Sequence, residues 1–524
     1  MKIDFKTPPS WLSLLMLTTL SLLILAACTP PTTTDPLPIT RLVATPAPTI
    51  EIPSTNTPSA TAASPASDTN ETGTTHTFQP GDPTLTPPGD NITDATFVQG
   101  REAYWNRNYA RVIPLMDEII TQDPNLAPAY WYRGKAYAQL GDFQTGLVDI
   151  NKAIELDPLY ASAHADRGWI YANLGDRQKA MDNFEYALSL DPSLAKVHHN
   201  MGRNYYELGN YEQALFHYAQ EVAIDPHRRL GWQDLVIINH DLANYQQCAT
   251  TAAEAVAIHP DLFDVIATQG DCHRHLGQYD EAKQILDDLL QQNPNHANGY
   301  YQRARVTAEL NYFDAAIADY TKTLTLQPDH LNAYIYRSTL YVQTNQYQLA
   351  ITELDQILAF TNDPLALVTR GRAHQHLQQY DRAIADYEAA LNQTKAPLAY
   401  VGLAEIALQQ EDYEKAATLL ENGINGPSSQ KDYAFLLATR GQLHLQQANY
   451  PAAIEDLSTA IEIHPISIYH YHRGLAYQAN NQPTLALDDY NAFINTINPF
   501  AADYPAAQLN ALIDDAVARK QQLQ

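Results

Sequence analysis

The chain has 524 residues, with 32 lysines and arginines against 59 aspartates and glutamates, which gives a formal net charge of −27 at pH 7. This excess of acid argues against a nucleic-acid partner, because phosphate binding requires a basic surface. With only three cysteines, the chain has no disulfide framework on which a small secreted fold would depend.

The first 27 residues have the features of an export signal. Lys2 and Lys6 precede an uncharged, largely apolar run that ends in small residues directly before Cys28. This segment resembles the signal of a bacterial lipoprotein, in which the cysteine is lipid-modified and becomes the mature N-terminus. The resemblance implies that residues 1–27 are removed and that Cys28 anchors the protein to a bacterial membrane outside the cytoplasm. The alternative, an uncleaved membrane anchor, also places the bulk of the chain outside the cytoplasm.

Residues 28–92 are predicted to form a disordered stalk. The 64 residues after Cys28 include 13 prolines and 17 threonines, with little that is aromatic or periodic. Such a segment cannot bury enough apolar surface to offset the entropy lost on ordering. We expect an extended spacer between the membrane and the rest of the chain.

From residue 93 the sequence repeats. In Ala161–Leu194, apolar residues return at helical spacing in two segments, one ending at Gly175 and the other at Pro192. Numbered from Ala161 as 1, the unit has small residues at positions 8, 20 and 27, aromatic residues at 11 and 24, and proline at 32. This pattern resembles the tetratricopeptide repeat, a 34-residue pair of helices. Prolines recur at steps of 34, at positions 124, 158, 192, 226, 260, 294 and 328.

Twelve copies of the unit are predicted across residues 93–501. They begin near residues 93, 127, 161, 195, 229, 263, 297, 331, 364, 397, 434 and 467. The resemblance implies an all-α fold, a right-handed superhelical α-solenoid of helix pairs. Residues 502–524 carry one apolar stripe (Leu509, Leu512, Ile513 and Val517) and are predicted to form a capping helix.

Arginine stands at position 7 of seven copies. In the same copies, position 23 is aspartate, glutamate or asparagine, whereas the other five copies have no acid there. The pairs are Arg133–Asp149, Arg167–Asn183, Arg303–Asp319, Arg337–Glu353, Arg370–Asp386, Arg440–Asp456 and Arg473–Asp489. We interpret them as contacts that join the first helix of a repeat to the second. The alternative is that these arginines line a binding site.

Cys248 and Cys272 lie in consecutive copies. Cys248 fills a small-residue position, so buried packing explains it without further chemistry. Outside the cytoplasm the two could instead form a disulfide.

The sequence predicts no enzyme, cofactor or metal site. Its 18 histidines include three pairs spaced two apart, a spacing that points the rings to different sides of a helix. There is no HExxH motif, no GxSxG motif and no glycine-rich phosphate loop.

A partner is predicted to bind along the first helices. In tetratricopeptide proteins, positions 2, 5, 9, 12 and 13 face a concave groove, and the resemblance carries these positions over to this chain. The candidate binding residues are basic or aromatic: Arg101, Lys135, Trp169, Arg203, Tyr206, His240, Arg274, Tyr301, Arg305 and Arg372. The family's clamp for a terminal carboxylate needs lysine at position 5 and asparagine at position 9 of one copy, and no copy has both.

These observations favour a non-enzymatic scaffold that binds a protein or an extended peptide. Two alternatives remain open. One is an assembly lipoprotein for envelope or pilus machinery, and the other is a module that binds glycan or peptidoglycan, or an adaptor to cell-wall enzymes.

Overall fold

The structure is a computed structural model that describes Ile92 and residues 94–426, 428–496 and 506–523. The predicted signal segment, the lipidation site Cys28 and residues 28–91 of the predicted stalk lie outside these residues. Every regular element in the described part of the chain is an α-helix. Across the same residues, no helix is both long enough and apolar enough to cross a membrane.

The described residues fall into two compact units, which divide between Ile224 and Asp225. The first unit contains eight helices. They are α1 (Ala95–Trp105), α2 (Tyr109–Gln122), α3 (Ala127–Gln139), α4 (Phe143–Leu156), α5 (Ala161–Asn173), α6 (Arg177–Leu190), α7 (Ala195–Glu207) and α8 (Tyr211–Ile224).

The second unit contains the remaining described helices. They are α9 (Arg229–Asp241), α10 (Tyr245–Ile258), α11 (Phe263–His275), α12 (Tyr279–Gln292), α13 (Ala297–Glu309), α14 (Phe313–Leu326), α15 (Leu331–Gln343), α16 (Tyr347–Leu358), α17 (Pro364–His376), α18 (Tyr380–Gln393), α19 (Pro397–Gln409), α20 (Tyr413–Ile424), α21 (Gln430–Gln446), α22 (Tyr450–Ile463), α23 (Ser467–Ala479), α24 (Pro483–Thr496) and α25 (Ala506–Leu523).

Consecutive helices pack as pairs, which confirms the predicted all-α solenoid of twelve helix pairs. Each pair turns at position 15 of the repeat, where the residue has a positive φ in every copy: Gly141, Gly175, Gly209 and Gly277, and in the other copies Arg107, Ala243, Asn311, Asn345, Gln378, Glu411, Ala448 and Asn481. A residue in this left-handed conformation reverses the chain after a helix. In the seven regular copies the second helix ends two residues before the repeating proline, for example at Leu190 before Pro192.

The first helix of the eleventh copy begins at Gln430, a few residues before the predicted start of that copy near 434. The reason is local capping: the Ser429 hydroxyl accepts a hydrogen bond from the Asp432 backbone N–H at 3.1 Å. At the C-terminus, α25 packs on α24, and the Tyr471 hydroxyl donates to the Asp515 carboxylate at 2.6 Å.

The first and second helices form different layers within each unit. Successive first helices contact one another, as in α1–α3, α3–α5, α9–α11, α11–α13, α15–α17, α17–α19, α19–α21 and α21–α23. Among the described residues, no two second helices make comparable contact. The first helices are therefore the more crowded layer, and we call its surface the inner face.

All seven predicted contacts between positions 7 and 23 are present. Arg370, for example, donates to both carboxylate oxygens of Asp386, at 2.9 and 2.6 Å. The sequence reasoning missed a second contact of the same side chain. Arg370 also reaches back to Asp355 of the preceding repeat at 2.7 Å, and five of the other arginines make the same kind of contact, to Asp117, Asn151, Asp287, Thr321 and Ser458. We call this three-residue contact the arginine clasp.

A disulfide joins α10 to α11. Cys248 and Cys272 are both fully buried, and their Cα atoms lie 6.2 Å apart. Of the two alternatives that the sequence leaves open, the structure contains the disulfide, which ties the fifth repeat to the sixth.

Candidate functional site

The predicted binding residues of the first unit lie on its first helices in varied surroundings. Lys135 on α3 is half-buried: its Nζ lies 3.1 Å from the Asp166 carboxylate and 4.1 Å from the centre of the Trp131 ring. Trp169 on α5 is half-buried, and Lys196 Nζ lies 5.8 Å from the centre of its ring. Arg203 on α7 is exposed, whereas Arg101 and Tyr206 are half-buried. The structure does not bring these five residues together at one point.

Four predicted residues of the second unit do come together. His240, Arg274, Tyr301 and Arg305 lie around the buried Asp271, which is 3 % exposed. The Asp271 carboxylate accepts hydrogen bonds from His240 Nε2 at 2.9 Å, Arg274 Nε at 2.8 Å and Arg305 Nη1 at 2.9 Å. The Arg305 guanidinium also lies over the Tyr301 ring, at 5.7 Å. We call these five residues the Asp271 cluster.

The cluster keeps its carboxylate ionised in spite of burial. Burial alone raises the pKa of Asp271, but the His240 hydrogen bond and the charges of Arg305 and Arg274 outweigh it and hold the pKa well below its ordinary value. The neighbouring carboxylates of Asp241, at 3.7 Å, and Asp271, at 2.9 Å, raise the pKa of His240 to about 9, so this imidazole is protonated at neutral pH. Burial and the Arg274 charge lower the pKa of the neighbouring His275 to about 3.

The same carboxylate could form a metal site with two histidines. One ligand atom each from His240, Asp271 and His275 lies within 4.8 Å of the others. However, Arg274 Nη2 lies 2.7 Å from His275 Nε2, which must accept this hydrogen bond and is therefore not free to bind a metal. Two guanidinium charges beside Asp271 would also repel a cation. The arrangement favours an ion-paired carboxylate over a metal centre.

A small cleft of about 30 Å³ lies beside the cluster. Its lining comes from α11, α13, α14 and α15: Arg274, Arg305, Ala308, Glu309, Tyr320, Tyr336, Thr339, Leu340 and Gln343. The volume is enough for a water molecule or one small polar group. The cleft lies among the first helices of three successive repeats, and therefore on the inner face.

Arg372, the last predicted binding residue, lies apart from the cleft on α17 and is 3 % exposed. Its Nε and Nη2 have no hydrogen-bond partner among the described residues. The nearby Glu405 on α19 is also buried, and burial raises its pKa to about 7 although the Arg372 charge acts in the opposite direction. Gln375 Nε2 donates to Glu405 at 3.2 Å. Arg372, Gln375 and Glu405 are thus a second cluster of buried polar side chains, and all three lie on first helices.

The sequence reasoning missed the acidic members of these groups. Asp271 and Glu405 stand at position 9, the same position as Arg305 and Arg372. The available signal was an acid at position 9 of one copy and an arginine at position 9 of the adjacent copy. Since first helices of adjacent repeats lie side by side, this pattern indicates that the two side chains are close.

Comparisons with known proteins agree with this architecture. Tetratricopeptide repeat family models match residues 127–158, 161–194, 195–228, 242–306, 301–366, 368–429 and 439–502, which together make up most of the chain. A search of curated proteins returns no match.

Similar solved structures include a chain of the APC/C hetero-tetramer Cut9–Hcn1, with 14 % identity and a TM-score of 0.42, over 80 % of this chain and 96 % of that chain. A tetratricopeptide repeat protein from Parabacteroides merdae has 17 % identity and a TM-score of 0.38, over 54 % and 98 % of the two chains. Pseudomonas aeruginosa pilF has 22 % identity and a TM-score of 0.34, over 40 % and 96 %.

Proposed function

Because the chain belongs to the tetratricopeptide repeat family, we propose that it is a non-enzymatic scaffold that binds a protein or an extended peptide along its inner face. We further propose that it acts outside the cytoplasm, held at a bacterial membrane by a lipidated Cys28.

The observation that carries the scaffold proposal is the row of side chains at position 9 in the second unit. Successive first helices place Asp271, Arg305, Thr339, Arg372 and Glu405 in this row, one from each repeat. The row combines charged and polar groups over five consecutive repeats, and Tyr301 lies under Arg305. Arg305 is half-buried, whereas the other four members are each 3 % exposed and lie just beneath the inner face. A row that extends over several repeats suits an elongated ligand better than a compact one.

Two observations support the extracytoplasmic proposal. The N-terminal sequence has the lipoprotein-like pattern described above, and an anchor with more than one acyl chain holds a protein stably at a membrane. The Cys248–Cys272 disulfide is the second, since disulfides persist in oxidising compartments and are rare in the cytoplasm.

The scaffold proposal is tested by site-specific photo-crosslinking in intact cells. A photoreactive residue replaces Arg203, which is exposed on the first helix α7, and in a matched control it replaces Val148, which is exposed on the second helix α4. We expect a defined protein adduct from position 203 and none from position 148. Adducts from position 148 alone would contradict the proposal and indicate that the partner binds the second helices. A glycan adduct at position 203 would show that the ligand is a glycan and not a protein.

The anchor is tested separately. Cys28→Ala should move the protein from the membrane fraction to the soluble fraction and abolish incorporation of a clickable fatty acid. If the variant stays in the membrane and the wild type takes up no fatty acid, the lipidation proposal is wrong.

A further inference from the structure

Exposed apolar side chains stand at every turn between a first and a second helix in the first unit. They lie at position 13 or 14 of the repeat and are between 39 % and 58 % exposed: Trp105, Leu140, Leu174 and Leu208. The four leucines at position 14 in the second unit are less exposed, and three of them are half-buried. Single exposed apolar residues are common on proteins, but a row of them indicates a contact surface.

The four turns lie along one edge of the first unit. Each turn follows the C-terminal end of a first helix, and successive first helices pack side by side, since α1 contacts α3 and α3 contacts α5. An ion pair joins the third turn to the fourth, where Arg177 Nη2 lies 2.7 Å from a Glu207 carboxylate oxygen. The four apolar side chains therefore form a row on one surface, which we call the apolar edge.

The first turn of the apolar edge is basic. Arg107 and Arg111 are exposed and follow Trp105 in the sequence, and positions 13–19 of this copy contain no acid. Arg101 and Glu102, one turn earlier on α1, offset each other in charge. This local excess of positive charge contrasts with the unit as a whole, since residues 94–224 contain 17 acids against 11 lysines and arginines.

The acids on the rest of the edge are partly neutralised. Asp176 and Glu207 form ion pairs with basic side chains of the same edge, at 2.6 and 2.7 Å. Asp142 and Glu212 form no ion pair with the residues that the structure describes. Positive charge is therefore concentrated at the first turn, and the acids that would repel an anionic surface lie on later turns.

We propose that the apolar edge rests on the surface of an anionic lipid membrane, with Trp105 in the interfacial layer and Arg107 and Arg111 on the phosphate groups. Tryptophan is enriched at the boundary between lipid and water, because its ring is apolar and its N–H is polar. Basic side chains near an anionic bilayer add electrostatic attraction to the burial of apolar area. A lipid interface accepts separate side chains one by one, whereas a protein hot spot needs a packed pocket.

The inference rests on the proposed lipid anchor at Cys28. The predicted stalk leads directly into α1, so the basic turn is the turn nearest to the anchor along the chain. A tether raises the effective concentration of the edge at the membrane, which makes a weak contact effective. The contact is weaker than the anchor, so Cys28→Ala should still release the protein from the membrane fraction.

The test is co-sedimentation with lipid vesicles of the chain that begins at Thr29. This chain lacks the predicted signal and the lipidated cysteine but keeps every described residue. The vesicles contain phosphatidylcholine alone, or about three parts of it to one part of anionic phosphatidylglycerol. We expect binding to the anionic vesicles that weakens as salt is added, and binding to phosphatidylcholine that is at least about fivefold weaker.

Two double variants assign this binding to the apolar edge. Trp105→Ala with Leu140→Ala should weaken binding to anionic vesicles about tenfold, because less apolar area is buried. Arg107→Gln with Arg111→Gln should weaken it about tenfold as well and remove the preference for anionic lipid. The turn accepts glutamine, since Gln378 has a positive φ at the same position of another copy.

Each double variant has a matched control. Val148→Ala with Leu159→Ala changes two apolar residues of the first unit that are at least as exposed but lie outside these turns. Arg382→Gln with Lys395→Gln removes two exposed positive charges from the second unit. Neither control should change vesicle binding. Asp142→Asn keeps an N-cap for α4 but removes an acid from the edge, and it should strengthen binding about fivefold, which loss of folding cannot imitate.

The outcomes separate this inference from the proposed function. If the chain does not bind anionic vesicles, or if the edge variants bind them as the controls do, the membrane contact is wrong, while the anchor and the scaffold stand. Equal binding to both kinds of vesicle would overturn the anionic surface. If the edge variants keep vesicle binding but lose the adduct at position 203 in cells, a protein occupies the edge instead. If Cys28 carries no lipid but the vesicle results hold, the anchor proposal fails and the contact surface stands.

Discussion

The arginine clasp makes a quantitative prediction at Arg370. This side chain donates twice to Asp386, whose side chain is 8 % exposed, and once to Asp355, whose side chain is 57 % exposed. The contact to the exposed Asp355 contributes at most about 1 kcal/mol to the free energy of unfolding. Arg370→Ala leaves the buried Asp386 charge without its partner, and such a loss typically costs about 3 kcal/mol.

The pairing itself is tested by a double-mutant cycle. Asp386→Ala added to Arg370→Ala should cost little more than Arg370→Ala alone, because the second substitution removes the stranded charge. We therefore expect a coupling free energy on the order of 1–3 kcal/mol. The assay is urea unfolding of the full chain followed by far-ultraviolet circular dichroism.

The control for this cycle is Arg382→Ala in the same repeat. Arg382 is exposed, so the loss of its charge should change stability by less than about 0.5 kcal/mol. Simple additivity of the Arg370 and Asp386 effects would contradict the pairing, as would an Arg382 effect as large as that of Arg370.

Three further predictions concern other parts of the fold. Burial lowers the pKa of His472 to about 4, so the unfolded chain takes up a proton below pH 6.5 that the folded chain does not. Stability should therefore fall as the pH drops from about 6.5 towards 4, and His472→Gln should make this fall smaller in urea melts, although other buried histidines such as His217, His376 and His464 also contribute to it. Gly168→Ala should destabilise by about 1–3 kcal/mol in the same melts, because the new Cβ would lie 2.7 Å from Phe184. Replacing Cys248 and Cys272 with alanine should lower the free energy of unfolding by about 3 kcal/mol. The melting temperature of this variant should not respond to reductant, whereas that of the wild type should fall. An equal response of the variant and the wild type would contradict the disulfide.

The sequence was sufficient to predict the all-α architecture because residues within each repeat mark where its two helices end. Gly175 and Pro192 fix the ends of two helices by backbone conformation alone. The proline recurs in the seven regular copies, and position 15 has a positive φ in every copy although it is glycine in only four. The arginine contacts within a repeat were also predictable, since the acid appears only where the arginine does. Contacts between repeats, such as Arg370 to Asp355, were not, because they depend on how two units pack.

The candidate site was only partly predictable for the same reason. Position 9 identified Arg305 and Arg372, but the family pattern treats that position as a free surface. In the structure Arg305 is bonded to Asp271 of the neighbouring repeat, and Arg372 is almost completely buried. The distances between adjacent helices decide which charged residues of the row pair with each other. They also decide which of these residues keep hydrogen-bonding groups without a partner.

The disulfide lies in a stretch of the chain that has no arginine clasp. Repeats four, five and six have Met201, Leu235 and Gln269 at position 7, so none of them can clasp the repeat before it. The Cys248–Cys272 bond connects repeats five and six, and the clasp resumes at repeat seven, where Arg303 reaches Asp287. The disulfide thus links repeats five and six, which no arginine clasp joins, and it holds α10 against α11, the helix that carries Asp271 and Arg274. A reducing compartment would break this link between the two repeats.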